Sequence, residues 1–293
     1  MFETNKILDD SVKYDEYFDE KLVGEAKQLI KKTQEKWKHY FWTNDKSLIP
    51  KAVKYMEKHG FIVRELKEIK SMREGQLKQY IDDYLVEDRA GAASDVARMA
   101  IMYEEGGFYI DMDFYLFKWD ANVNRVFDFF GISQSQFQSY TDVLFNWGFL
   151  ARPKHDIIKN FLDFYMENQR LARMTSDPRK KSEKQMWMQP CQKETFASIL
   201  FDTGPYQFDW AYFKFIREQE KTIQDKNERD QICVVKDISH LLSWKTTLAT
   251  LAGKKIDIEI SGFQLGQGSW SNDYIDESRF GWPELNPYLK DEI

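Results

Sequence analysis

The stretch Ala90–Asp113, AGAASDVARMAIMYEEGGFYIDMD, decides how the rest of the chain is interpreted. It begins with small residues and continues as an amphipathic pattern that predicts one helix, which the pair Gly106-Gly107 ends. Asp95 and Arg98 stand three residues apart in this pattern, so they share one helix face and can present a carboxylate beside a guanidinium.

The helix is followed by a short aromatic strand that closes on two acidic residues, Asp111 and Asp113. Residues two apart on a strand point to the same side, so the two carboxylates are expected together at the carboxyl edge of a parallel sheet, where α/β proteins place their ligands. Two carboxylates at such short range repel each other unless a cation neutralises them. A hard divalent ion, Mn²⁺ or Mg²⁺, is the simplest resolution.

The chain before this stretch has the order of a β-α-β unit. Residues 40–45 predict a strand and a turn, residues 50–60 a helix and residues 61–66 a second strand. The next segment, 67–105, is expected to be helical throughout.

Later segments continue the alternation of strands and helices. Strands are expected at 126–132, 143–151, 232–235 and 256–260, helices at 155–173, 191–201 and 207–221, and loops at 176–184 and 262–271.

Composition excludes several classes of protein. The chain has 293 residues, 42% of them hydrophobic and 16% aromatic, which is enough for a large core and excludes wholesale disorder. Its net charge of −6 argues against nonspecific binding of nucleic acid. Two cysteines are too few for a disulfide scaffold. No apolar run approaches the ~18 residues that span a bilayer, so we expect no transmembrane segment.

The order of motifs in Ala90–Asp113 resembles the core of the DxD-motif glycosyltransferases. These unite the sugar-binding-region mannosyl- and galactosyltransferases with the large clostridial glucosylating toxins, which share a small-residue stretch, Ser-Asp-x-x-Arg, a Gly-Gly-x-Tyr turn and Asp-x-Asp. Here the elements read Ser94-Asp95-Val96-Ala97-Arg98, Gly106-Gly107-Phe108-Tyr109 and Asp111-Met112-Asp113.

Weaker similarities to the family extend along the chain in the family's order. They are Trp42 at the end of the first strand, Asn146 in the stretch Phe145–Ala151, Thr203-Gly204-Pro205, and Gly268-Ser269-Trp270 near the C-terminus. Taken alone, each has an ordinary structural explanation, and the shared order is what carries the resemblance.

The resemblance implies an α/β fold of the GT-A type, a Rossmann-like nucleotide-sugar-binding domain with helical additions. We expect residues 1–38 to form an N-terminal helical segment and residues 39–293 the GT-A domain, with helical insertions at about 67–105 and 155–230. The implied activity is metal-dependent transfer of a hexose or N-acetylhexosamine with retention of configuration. A UDP-sugar is favoured as donor and GDP-mannose is the alternative.

The resemblance also assigns roles to residues. Asp113 ligates the metal, and Asp111 contacts the ribose and the water shell of the metal. Asp95 and Arg98 hold the sugar hydroxyls, with Asn146 nearby. The aromatic and loop residues complete the donor site: Trp42 stacks on the base, Tyr109 lines the sugar-phosphate pocket, and Ser269 and Trp270 close over the diphosphate.

The sequence departs from the family near the C-terminus. A histidine or a carboxylate completes the metal shell in the two branches, whereas this chain has Gln264-Leu265-Gly266-Gln267 at those positions. Ser269, Asn272 or Asp273 are the candidate substitutes, so the ligands beyond Asp113 stay open.

Two other classes stay in view. In a phosphohydrolase of the haloacid-dehalogenase type, Asp111 would be the nucleophile and Asp113 the acid and base, but the later paired-Asp motif of that class is absent from the sequence. The third class is a non-catalytic nucleotide-sugar-binding module.

The acceptor and the place of action are the least determined features. The acceptor is a glycan, a glycolipid or a protein, and the charge-dense N-terminus and the basic 176–184 stretch leave peripheral contact with a membrane open. We expect a protein made in the bacterial cytoplasm that either acts there or is secreted into a host cell as an effector.

Overall fold

A computed structural model describes residues 37–87, 89–111, 114–120, 122–135, 142–174, 203–225, 229–237, 241–249 and 255–264. The predicted N-terminal helix therefore lies outside the described residues except at its last positions, and residues 37–39 are neither helix nor strand. The loop predicted at 176–184 and the helix predicted at 191–201 also lie outside the described residues.

The described chain opens with the predicted β-α-β unit. Strand β1 (Tyr40–Thr43) and strand β2 (Ile62–Glu65) pair in parallel and flank helix α1 (Pro50–Lys58). Pro50 suits the first turn of the helix, where its missing N–H has no partner to lose. A small core of its own holds this unit together, formed by Phe41, Ile49, Ala52, Met56 and Val63.

The predicted helical segment 67–105 consists of four pieces. Two short 3-10 helices, Leu66–Glu68 and Lys70–Met72, precede helix α2 (Gln76–Val86) and helix α3 (Ala90–Glu105). Helix α3 is buried along most of its length, and its alanines let neighbouring elements approach closely.

Gly106 and Gly107 turn the chain from α3 into strand β3 (Gly107–Ile110) with φ angles of +65° and +104°. At Gly106 a Cβ atom would lie 2.6 Å from the ring of Pro153, so both the backbone angle and the packing require glycine.

The remaining elements complete the helical and sheet layers. In chain order they are β4 (Phe114–Lys118), α4 (Val123–Val126), β5 (Phe129–Ser135), β6 (Asp142–Ala151), α5 (Asp156–Met174), α6 (Pro205–Thr222), β7 (Ile232–Asp237), β8 (Leu241–Ala249) and β9 (Lys255–Gln264). The predicted strands and helices that fall on described residues are present, whereas the helix predicted at 191–201 is not tested. The strand predicted at 126–132 begins as the end of α4, β4 and β8 were not predicted, and β9 extends into the predicted 262–271 loop.

The strands form two further sheets, of order β3-β6-β5-β7 and β4-β9-β8. Consecutive residues of β5 show that the first of these has two buried faces. Phe129 packs among helices α2, α3, α5 and α6, whereas Phe130 packs between the two sheets. The described chain thus stacks helices, a four-stranded sheet and a three-stranded sheet.

The α/β prediction is confirmed by this architecture, but one expectation about the sheet is wrong. Strand β3 was expected in a parallel sheet, and it pairs antiparallel with β6. Parallel pairing occurs between β1 and β2 and between β5 and β7. Pairing of β3 with a strand some 40 residues later leaves no trace in the alternation of β3 itself. Among the described helices, none is long and apolar enough to cross a membrane.

Candidate functional site

Helix α3 supplies the first two site residues. Asp95 and Arg98 are 5% and 7% exposed, and Nη2 of Arg98 lies 3.1 Å from Oδ1 of Asp95. The predicted pairing on one helix face is therefore present. Its partners are buried, so it is not the exposed surface ion pair that contributes little to stability.

The end of strand β3 supplies Asp111. Its backbone N–H donates to the carbonyl of Trp147 at 2.7 Å, and its carbonyl accepts from Phe114 at 3.1 Å, so the backbone is fixed on both sides. Nη1 of Arg98 lies 3.3 Å from Oδ1 of Asp111. One guanidinium thus connects the carboxylates of the helix motif and the strand motif.

Strand β6 adds Asn146, which bonds both members of the α3 pair. Its side-chain N–H donates to Oδ1 of Asp95 at 2.9 Å, and its backbone carbonyl accepts from Nη1 of Arg98 at 2.9 Å. These contacts are consistent with the prediction that Asn146 lies at the site. Its neighbour Trp147 is instead a buried core residue.

The hydroxyl of Thr203, immediately before α6, donates to Oδ2 of Asp95 at 3.0 Å. The hydroxyl of Ser94 accepts from Nη2 of Arg98 at 3.3 Å. Both residues were quoted in motifs without a role. Thr203 has a sequence signal, the Thr-Gly-Pro motif, but nothing in a linear motif says which carboxylate its hydroxyl reaches.

Tyr109 bonds the network from strand β3. Its hydroxyl donates to Oδ1 of Asp111 at 2.6 Å, and the guanidinium of Arg98 lies 4.7 Å from the centre of its ring. The ring therefore covers Arg98, and the hydroxyl orients Asp111.

Burial sets the protonation of this network. Loss of solvent raises the pKa of Asp95 to about 7, and the nearby charge of Asp111 adds to the increase, while Arg98 and the hydrogen bonds from Thr203 and Asn146 oppose it. Burial also raises the pKa of the Tyr109 hydroxyl well above its ordinary value, so it stays a hydrogen-bond donor.

Trp42 lies on β1 in register with Arg64 of β2. The Arg64 guanidinium lies 4.3 Å from the centre of the indole ring, and it is held there by Glu68, with Nε to Oε2 at 2.8 Å, and by Glu105, with Nη1 to Oε2 at 3.1 Å. Arg64 was not singled out from the sequence. Its position opposite Trp42 depends on the parallel register, which no local pattern encodes.

The remaining predicted site residues, Asp113, Ser269, Trp270 and Asn272, lie outside the described residues. Within the described ranges, no group of three or more His, Cys, Asp and Glu side chains could hold a metal ion.

Asp111 nevertheless fits the chemistry of a cation site. Both described partners of its carboxylate, Tyr109 and Arg98, bond Oδ1, and Oδ2 has no hydrogen bond or ion pair with a described residue. The side chain is 20% exposed, so this oxygen belongs to a partly open carboxylate, the ligand type that hard divalent ions prefer.

The family model described as a glycosyltransferase sugar-binding region containing the DXD motif matches residues 19–125. The matched residues are those that carry the Asp95–Arg98 pair, the Gly-Gly turn and Asp111-Met112-Asp113. The resemblance to the DxD-motif glycosyltransferases is thereby confirmed for residues 19–125, which are similar to a sugar-binding region of that kind.

Solved structures similar to the chain include toxin glycosyltransferase domains. The PaToxG glycosyltransferase matches with 14% identity over 69% of this chain and 66% of that chain, with a TM-score of 0.47. The UDP-bound glycosyltransferase domain of the YGT toxin matches with 13% identity over 66% and 57%, with a TM-score of 0.40.

The ligand-free form of the YGT domain matches with 14% identity over 66% of this chain and 58% of that chain, with a TM-score of 0.39. The match thus spans less than two thirds of the length of each of these chains. No curated protein matches the chain in sequence.

Proposed function

We propose that the chain is a metal-dependent, retaining glycosyltransferase of the GT-A type that transfers a hexose or N-acetylhexosamine from a UDP-sugar. The observation that carries the proposal is the position of Arg98, which contacts Asp95 on the helix and Asp111 on the strand at 3.1 and 3.3 Å. The two motifs that define the family in sequence therefore form one connected site.

Asp113 and Asp111 are the residues that would hold a divalent ion, Mn²⁺ or Mg²⁺, with Ser269 and Asn272 as further candidate ligands. When bound, such an ion acts as a Lewis acid and offsets the charge that develops on the departing nucleoside diphosphate. Tyr109 and Arg98 orient Asp111, because both contact its Oδ1. Oδ2 is then left for the ribose or for the water shell of the metal.

Asp95 and Arg98 would bind the hydroxyls of the donor sugar. Oδ2 of Asp95 accepts one described hydrogen bond, from Thr203, and has a further lone pair for a sugar hydroxyl, whereas Oδ1 is already contacted by Asn146 and Arg98. Because these bonds are made before a ligand arrives, the pocket is preorganised and little reorganisation accompanies binding.

The same bonds argue against Asp95 as an enzymic nucleophile. A carboxylate that is 5% exposed and bonded at both oxygens is poorly placed to attack an anomeric carbon. Retention would then follow from attack of the acceptor on the face from which the diphosphate leaves.

The nucleobase would stack on Trp42, whose ring is held by the guanidinium of Arg64. Ser269 and Trp270 would close over the diphosphate and exclude water, so that hydrolysis of the donor does not compete with transfer. The acceptor of this proposed reaction is a glycan, a glycolipid or a protein. The proposal extends to the place of action, which is the interior of a host cell into which the protein is secreted as a bacterial effector.

A donor screen tests the function directly. The chain is incubated with a panel of UDP- and GDP-sugars and Mn²⁺, and slow hydrolysis of one donor is the expected result. Asp113→Ala is expected to abolish this hydrolysis, while Asp82→Ala, which removes a carboxylate that pairs with Lys78 on the surface of α2, is expected to leave it unchanged.

Two results would contradict the proposal. One is turnover of p-nitrophenyl phosphate that does not depend on a nucleotide-sugar, as a phosphohydrolase would show. The other is binding of a nucleotide-sugar, seen as a thermal shift, without hydrolysis or transfer of any donor, as a non-catalytic module would show.

A further inference from the structure

Strand β6 is irregular at the point where it supplies Asn146. Two consecutive residues of β5 pair with β6 residues that are four positions apart: Gly131 with Phe149 and Ile132 with Phe145. Residues 146–148 therefore have no place in the register with β5 and form a bulge. Bulges are frequent beside active sites, where they redirect side chains and backbone groups.

The bulge makes contacts with both carboxylates of the site. The side chain of Asn146 donates to Asp95, and its backbone carbonyl accepts from Arg98. The backbone carbonyl of Trp147 accepts from the N–H of Asp111 at 2.7 Å. The position of Asp95 relative to Asp111 therefore depends on how the bulge is held.

One edge of β6 extends beyond its neighbour just before the bulge. Strand β3 pairs with Gly148–Ala151, so the earlier residues of β6 are not covered by this pairing. Leu144 lies in that part of the strand and is 2% exposed. Its N–H needs an acceptor, because a buried N–H without one costs free energy comparable to a lost hydrogen bond. The acceptor is Oδ1 of Asp209 on α6, at 3.2 Å from the nitrogen.

The carboxylate of Asp209 gives up solvation for this contact. Burial raises the pKa of its carboxyl group, and the hydrogen bond from Leu144 opposes the increase. Among the described residues, no cation contributes to this pKa. The compensation that the structure shows is one charge-assisted hydrogen bond to the backbone of β6.

The start of α6 holds the site at a second point. Thr203, immediately before the helix, donates to Oδ2 of Asp95 at 3.0 Å. Between Thr203 and Asp209, the buried ring of Phe208 packs on Phe149 of β6, with ring centres 4.9 Å apart. The first turns of α6 are therefore packed on β6 and bonded to both α3 and β6.

We propose that Asp209 is a positioning residue of the donor site. Its bond to Leu144 fixes the part of β6 that enters the bulge. The amide of Asn146 is thereby kept within reach of Asp95, and the carbonyl of Asn146 within reach of Arg98. The kinetic consequence rests on the proposed transferase function, whereas the hold on the bulge does not.

Hydrogen–deuterium exchange of residues 142–151 tests the hold on the bulge, because it requires neither donor nor metal. The wild type, Asp209→Ala and Asp209→Asn are compared as full chains. Asp209→Ala leaves the N–H of Leu144 without its acceptor, so exchange in this segment is expected to become several-fold faster. Asp209→Asn keeps an acceptor oxygen and is expected to exchange at a rate near that of the wild type.

A matched variant separates positioning from a general loss of stability. Phe215→Leu changes a buried ring farther along α6, which contacts His155 with ring centres 5.1 Å apart. It is expected to lower the Tm but, well below the Tm, to leave the exchange of residues 142–151 and the kinetics of donor hydrolysis unchanged.

Donor hydrolysis supplies the readout that a merely structural role would not move. Asp209→Ala is expected to raise KM for the nucleotide-sugar about 10-fold, the equivalent of one hydrogen bond, with a smaller change in kcat. The loss falls on KM because Asp95 and Arg98 would hold the sugar in the ground state as well as in the transition state. Asp209→Asn is expected to return KM to near the wild-type value.

The positioning role is overturned if Asp209→Ala does not change the exchange of residues 142–151, or if exchange becomes faster while KM stays at the wild-type value. A wild type that hydrolyses no donor contradicts the proposed function instead, and exchange alone then decides whether Asp209 holds the bulge. Should Asp209→Ala fail to fold, Asp209→Glu displaces the carboxylate by one methylene and is expected to raise both exchange and KM. Wild-type values for that variant contradict the proposal.

Discussion

Two arginines of one helical segment, Arg98 and Arg89, are both buried but differ in their hydrogen-bond acceptors. Arg98, in the middle of α3, contacts Asp95, Asp111, Ser94 and the backbone carbonyl of Asn146. Arg89, at the start of the same helix, has no hydrogen-bond acceptor among the described residues and lies on the ring of Tyr84.

The difference separates a buried guanidinium that has several acceptors within the described chain from one that has none there. The acceptors around Arg98 fix its position, so it can orient carboxylates toward a substrate without further rearrangement. The Arg89 guanidinium has no such hydrogen bonds among the described residues, so its burial is expected to cost stability.

The largest expected effect comes from removing each arginine in turn. Arg98→Met is expected to lower the free energy of unfolding by about 3–5 kcal/mol, because it leaves Asp95 and Asp111 without their shared cation. Arg89→Met is expected to leave stability unchanged or to raise it, because it removes a buried charge without a described hydrogen-bond acceptor. Urea denaturation of both variants measures the contrast, and equal losses would remove the basis of the comparison.

A surface arginine provides the control for this pair. Arg170→Met removes an exposed ion pair with Glu167 on α5 and is expected to leave the urea midpoint near that of the wild type.

His155 is fully buried and its pKa is lowered, so it is expected to make the stability of the fold depend on pH. Its Nδ1 accepts from the N–H of Ile157 at 3.1 Å, and burial together with the charge of Arg152 lowers its pKa from 6.5 to about 4. The unfolded chain therefore takes up the proton first as the pH falls. The corresponding stability is present above pH 6.5 and is lost towards pH 4, by about 3 kcal/mol in total.

His155→Asn retains a neutral acceptor at the start of α5 but does not titrate in this range. We expect its free energy of unfolding to fall less steeply than that of the wild type between pH 6.5 and 4, measured by urea denaturation at several pH values. Parallel pH profiles for the two proteins would show that His155 does not titrate on unfolding.

A smaller effect is expected for the partner of Arg98. Asp95→Asn keeps the volume of the side chain and removes the charge, so kcat/KM for donor hydrolysis is expected to fall about 10- to 100-fold, the equivalent of one hydrogen bond to a charged group. Asp82→Asn on the surface is the matched control. An unchanged kcat/KM for Asp95→Asn would exclude Asp95 from the donor site.

The smallest effect is expected for Thr203, whose hydroxyl donates a hydrogen bond to the carboxylate of Asp95. Thr203→Val leaves Oδ2 of Asp95 without its described donor and is expected to lower the free energy of unfolding by about 1 kcal/mol. Thr222→Val removes a hydroxyl whose described hydrogen bond is to the exposed carbonyl of Glu218 on α6, and it is expected to change nothing measurable. Equal results for both threonines would show that the bond to Asp95 contributes no stability.

Much of the fold was predictable because its signals are local. The β1-α1-β2 order, helix α3 and the break at Gly106-Gly107 follow from periodicity and from glycine, which act over a few residues. Strand β3 was assigned the wrong kind of sheet because its partner β6 is distant in sequence. Strand β8 was not predicted either, although it pairs with β9, the next strand along the chain.

The candidate site was predictable to the same degree. The contact of Asp95 with Arg98 follows from helix geometry alone, since the residues are three apart. Contacts of Asp95 with Asn146 and Thr203 join residues that are 51 and 108 positions apart, so only the folded chain reveals them.

The sequence by itself determined the similarity to a DXD-containing sugar-binding region and the order of its motifs. Both depend on residues that lie close together along the chain. Tertiary structure alone decided which buried charges have partners. The motif marks Arg98 and not Arg89, but it does not say which of the two has hydrogen-bond acceptors. Strands β3 and β6 bring acceptors to Arg98, whereas the described contact of Arg89 is with the aromatic ring of Tyr84 on helix α2.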